Sequence, residues 1–156
     1  MSLLPPWAPN LHPLLVHFPI ALIVVAVVVD VLAAFFRQSE RLRFVASSGY
    51  AVGAVTAVAA YWAGLDAAAT VLIPGMAHGL VDDHRLGALA ATAYLVAMAA
   101  ARLLSEFTGI TRVERYRVLF VVLGIVGMIL VQQAAERGAR LVYEHGVGVI
   151  PTTGGR

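Results

Sequence analysis

Five histidines, at positions 12, 17, 78, 84 and 145, are the side chains of this sequence best suited to hold a metal or to move a proton near neutral pH. The chain has no cysteine, so thiolate ligands, disulfides and covalent attachment of a c-type haem are excluded. Metal chemistry must therefore rest on imidazole, thioether and carboxylate. Two of the histidines stand in the segment Asn10-Leu11-His12-Pro13-Leu14-Leu15-Val16-His17-Phe18-Pro19, at the mouth of the longest apolar run. No H-E-x-x-H element, phosphate-binding loop, nucleotide-binding glycine fingerprint or Ser-His-Asp order accompanies them, so hydrolase and kinase chemistries lack a motif.

The elements that must position these imidazoles are apolar. Of the 156 residues 60% are hydrophobic and only 13% charged, about half the charge of an ordinary soluble domain. Four runs, 14–36, 44–63, 86–104 and 118–135, each approach the ~20 residues that a helix needs to cross a hydrocarbon core. The expected fold is an all-α integral membrane four-helix bundle, a single domain over residues 1–156. The first run reads as a retained span, because no basic residue precedes it and it exceeds the ~7–15 residues of a signal core.

All eleven basic residues are arginines. Arg37, Arg41 and Arg43 fall in the first connection, and Arg102, Arg112, Arg115 and Arg117 are assigned to the third. The second connection has only Arg85, and the tail has Arg137, Arg140 and Arg156. Positive charge marks cytoplasmic loops, so both termini are expected on the extracytoplasmic side. All five histidines then fall at that outer level, although histidine played no part in the count. The small net charge of +2 and the interleaving of arginines between spans give nucleic-acid binding no support.

Geometry narrows the histidine set. Residues five apart on a helix diverge by roughly 140°, so His12 and His17 do not share a face on a regular helix. Asn10 suits the N-cap and Pro13 the first turn, and Pro19 is expected to kink the helix and turn His17 inward. His84, at the start of the third span, would then face His17 across the bundle. That arrangement ligates a b-type haem from two sides, with Arg85 and Arg140 reaching the propionates. The alternative is a compact copper or zinc site drawing on His12, His17, His84 and His145. A third reading gives the histidines hydrogen-bonding roles only, in a non-catalytic assembly subunit.

Other polar residues have structural expectations. Asp30 lies thirteen residues beyond His17, about 20 Å deeper, and is expected to snorkel or to pair with Arg37 or Arg43, with a proton or quinone-site role as the alternative. Asp82 and Asp83 suit the cap of the third helix. Residues 67–73 suit a short interfacial helix ended by Pro74-Gly75, with Met76 beside it as a packing residue or soft ligand. Gly49 and Gly53, and the stripe Ala93, Ala97 and Ala101, read as packing faces, while Gln132 and Gln133 are expected to bond across helices.

Taken together, Leu11-His12-Pro13, Val16-His17-Phe18-Pro19, Gly64-Leu65-Asp66, His84 and the segment Leu141-Val142-Tyr143-Glu144-His145-Gly146-Val147-Gly148-Val149 resemble a bacterial membrane family, domain of unknown function 2231. The resemblance covers nearly the whole chain. It implies a four-helix protein of the bacterial inner membrane, from a family often found beside or fused to c-type cytochromes and Rieske proteins. The positions that carry over are His12, His17, Asp66, His84 and His145; His78 matches none. With that company, the expected role is electron transfer through haem b between the quinone pool and an extracytoplasmic redox protein. His17 and His84 would be axial ligands, supported by His12 and His145, in a chain that acts alone, as an oligomer or within a larger membrane complex.

Overall fold

A computed structural model describes residues 10–36, 39–108 and 114–149. Among the described residues the chain is helical: α1 (His12–Leu15), α2 (His17–Phe35), α3 (Glu40–Thr70), a 3-10 turn (Gly75–Ala77), α4 (His78–Thr108) and α5 (Glu114–Tyr143). Four helical stretches, His12–Phe35, Glu40–Thr70, Gly75–Thr108 and Tyr116–Tyr143, are long and apolar enough to cross a membrane. Lipid leaves no other partner for backbone amides, which is why the apolar runs become helices.

Each long helix packs on its sequence neighbours, and α5 closes the ring on α2. This leaves α2 diagonally opposite α4, and α3 opposite α5. The interior is thin and made largely of small side chains: Ala26, Ala46, Ala54, Ala57, Ala91 and Ala99 are buried around Ile23, Tyr50, Leu95 and Phe120. The large aliphatic residues point outward, for example Val25, Val28, Val55 and Leu104. Such an inverted distribution fits helices solvated by lipid, where close backbone approach holds the bundle. Gly49 and Gly53 serve this approach, since a Cβ there would meet Ala26 and Leu22 of α2.

The helices outrun the apolar segments, which changes several expectations. Residues 67–70 end α3 instead of forming a separate interfacial helix, so the connection to α4 is only a few residues long. Asp82 and Asp83 sit in the second turn of α4 and are exposed, and neither caps it. His84 is likewise one and a half turns into the helix. The stripe Ala93, Ala97 and Ala101 faces outward; the buried face of α4 carries Ala91, Leu95, Met98, Ala99, Arg102 and Ser105. Gln132 and Gln133 are exposed and make no bond across helices, and Met76 is exposed beside the 3-10 turn. These departures share a cause: an apolar run marks hydrocarbon depth, whereas a helix continues until its backbone bonding is interrupted.

Asp30 finds a different partner from those expected. Arg43 pairs with Glu40 one turn away, and Arg37 lies outside the described residues. Asp30 instead meets Arg102, which is a buried residue of α4 and belongs to no loop. Arg102 Nη1 donates to Asp30 Oδ2 at 3.0 Å, and Nη2 donates to Oδ1, making a two-pronged pair across the bundle. Its Nε donates to Ser47 Oγ at 3.0 Å, and its guanidinium lies 4.9 Å from the Phe120 ring centre.

Candidate functional site

At the opposite end of the bundle the first helix is broken. Pro19 has no N–H for the carbonyl of Leu15, and the helix is interrupted at Val16, separating α1 from α2. Pro13 occupies the first turn of α1, and the side chain of Asn10 accepts the His12 amide at 3.0 Å, one residue before the N-cap Leu11. The break turns His12 inward, whereas His17 is exposed. The kink thus acts on the histidine opposite to the one expected.

The residue that meets His84 is therefore His12. Their ring centres lie 6.2 Å apart with the planes at 78°. Each ring is held by the same device. His12 Nδ1 lies 3.0 Å from the carbonyl of Ala60, and His84 Nδ1 lies 2.9 Å from the carbonyl of Ala134. A carbonyl only accepts, so each Nδ1 carries a proton, which in the neutral form of the ring leaves Nε2 free as a ligand or acceptor. One turn beyond each carbonyl stands a glycine: a Cβ on Gly64 would come within 3.0 Å of the His12 ring, and one on Gly138 within 3.0 Å of the His84 ring. Glycine at each position lets the imidazole lie against the helix, where a larger residue would press on the ring.

The pair separates two cavities. The outer, about 320 Å³, is walled by Leu65, Val71, Val81, Leu141 and Val149, with Asn10 and Arg85 among its few polar lining groups. The inner, about 90 Å³, is lined by Pro19, Ala57, Ala91, Ala134 and Ala135. His12, Tyr61, His84 and Ala88 border both.

Of the sequence-predicted residues, His12, His84 and Arg85 come together here. His17, His145 and Arg140 line neither cavity. Arg140 donates from Nε to Glu144 at 3.0 Å, and this hydrogen bond holds the Glu144 carboxyl below its usual range. Asp66 and His78 are exposed, and His78 turns back on the carbonyl of Gly75. Among the described residues no group of three or more His, Asp or Glu side chains converges, so the four-imidazole copper or zinc centre is not assembled. Sequence reasoning missed the Ala60 and Ala134 carbonyls, Gly138 and Tyr61, and noted Gly64 only within a family motif, without a role. The glycines were findable, each standing late in an apolar helix at the level of a histidine.

Comparison with known proteins decides the family. The sequence model described as predicted membrane protein DUF2231 matches residues 8–151. The chain belongs to that family. No curated protein and no solved structure matches it. Membership in DUF2231 carries the membrane assignment, which the four spans of the fold bear out, and leaves the chemistry to be argued from the imidazole pair.

Proposed function

We propose that this protein binds haem b between His12 and His84 and transfers electrons between the quinone pool and an extracytoplasmic redox protein, in the bacterial inner membrane with both termini outside. The observation that carries the reading is the facing pair with both Nδ1 protons committed to carbonyls. His12 and His84, with ring centres 6.2 Å apart, would hold the group through their Nε2 atoms, one from each side of the bundle. A porphyrin brings four nitrogens of its own, so two protein ligands suffice where zinc or copper asks for three or four. Cavity space adjoins the pair on both sides.

Bound there, the group would supply one-electron chemistry at a potential set by its axial ligands and surroundings. The protein's part is to hold both imidazoles in one orientation with Nε2 directed to the group. The Ala60 and Ala134 carbonyls fix the tautomers and raise ring basicity, the role that outer hydrogen bonds play at histidine-ligated metals. Arg85 lines the outer cavity and would meet a propionate there.

The test is a reduced-minus-oxidised spectrum of protein produced with haem supplied, together with single variants. Low-spin b-type bands are expected, lost in His12→Ala and in His84→Ala and kept in His17→Ala. Protein lacking a Soret band and acid-extractable haem refutes the proposal and leaves the assembly role.

A further inference from the structure

The two layers described above, imidazoles at one end and an ion pair at the other, repeat along the chain with one register. A shift of 72 positions carries His12 onto His84 and Asp30 onto Arg102. The same shift carries every buried residue of α2, Pro19, Ile23, Ala26, Val27, Asp30 and Ala33, onto Ala91, Leu95, Met98, Ala99, Arg102 and Ser105, the full buried set of α4. A shift of 74 relates the returning helices at the site. It carries Ala60 onto Ala134 and Gly64 onto Gly138, the two acceptors and the two glycines of the site. Buried Gly53 falls on buried Gly127, and their neighbours Leu22 and Tyr94 are themselves 72 apart.

A shared helical phase alone would align the buried faces. It does not oblige the histidines, their carbonyls, their glycines and the only buried charges of α2 and α4 to coincide as well. The contacts add a second, independent sign. In a two-fold assembly, residues near the axis touch their own counterparts. Here His12 meets His84 and Asp30 meets Arg102, each residue against its equivalent, across the diagonal from α2 to α4.

We infer that the chain is two copies of one helical hairpin, α1–α3 and α4–α5, docked about a pseudo-two-fold axis that runs along the bundle between His12 and His84 and between Asp30 and Arg102. The docking face of each hairpin is complementary to a second copy of itself. The site is therefore shared equally: each hairpin contributes one imidazole, one carbonyl clamp and one glycine, and a ligand sits astride the axis. The opposite charges of Asp30 and Arg102 are the main departure from the symmetry, which converts two equivalent positions into an attractive pair. None of this depends on which ligand the imidazoles hold.

Two experiments on the full chain test it. The first is the reciprocal exchange Asp30→Arg with Arg102→Asp, compared with each single substitution by thermal melting and size-exclusion profile in detergent. Equivalent positions predict that the exchange recovers at least half of the melting temperature lost in the singles. The second uses protein labelled with nitrogen-15 at histidine, where Gly64→Ala is expected to shift the His12 ring signals alone and Gly138→Ala those of His84 alone, by similar amounts. An exchanged protein that melts no higher than the poorer single variant, or a glycine variant that leaves its own imidazole unmoved, overturns the inference.

Discussion

At the scale of single residues, the energetics concentrate in one buried contact. Asp30 and Arg102 are nearly inaccessible, with side chains 3% and 1% exposed, so removing Arg102 strands a buried carboxylate and removing Asp30 leaves the guanidinium only Glu106, 3.7 Å away. Asp30→Ala and Arg102→Ala are each expected to cost about 3–5 kcal/mol, whereas the double substitution to apolar residues of similar volume costs much less. Thermal unfolding in detergent as a double-mutant cycle checks this; additive losses refute it. That Asp30 needs a partner is legible from one acid in a run of valines and leucines. Which arginine answers is not, because Arg102 sits near the end of an apolar run and reads as a loop residue until the helix is seen to continue to Thr108.

At the scale of elements, the break at Val16 and the close approach of helices do most of the positioning. Pro19 advertises a kink in any reading of the sequence. Which side of it turns inward depends on how α2 seats against α3, so the kink predicted from sequence presented His12 and exposed His17. Close approach is equally specific at Gly124, where an added Cβ would collide with the hydroxyl of Tyr50 from α3. Gly124→Ala is expected to destabilise the bundle by about 1–3 kcal/mol, the usual cost of overpacking. Tyr50→Phe, which removes the obstructing oxygen, should recover part of that loss when combined with it. Melting curves of the two single variants and the pair decide the point, and no recovery means that the collision is not what the alanine meets.

At the scale of the whole molecule, the arginine distribution predicts an orientation in the membrane, and a sequence without cysteine makes it measurable. Met76, 84% exposed at the histidine end, and Arg41, exposed at the opposite end, are suitable sites for single cysteines. If arginine enrichment marks the cytoplasmic side, a membrane-impermeant maleimide labels Met76→Cys in cells with a permeabilised outer membrane and labels Arg41→Cys only after lysis. The reverse pattern would turn the imidazole site toward the cytoplasm and remove an extracytoplasmic partner from the proposed function. Helical rise separates His12 from Asp30, eighteen residues apart, by roughly 27 Å, a distance comparable to the thickness of a hydrocarbon core.

The sequence by itself determined that this is a four-helix membrane protein, because ~20-residue apolar runs leave the backbone no partner but its own helix. It also placed the histidines at one end, because span boundaries and residue numbers fix depth. What it left undetermined was azimuth. Depth is a property of one helix read along its length, whereas the direction a side chain takes depends on how helices rotate and seat against each other, and small residues permit several seatings. Only the tertiary structure decided that His12 faces His84, that Arg102 answers Asp30, and that two glycines make the room in which the imidazoles lie.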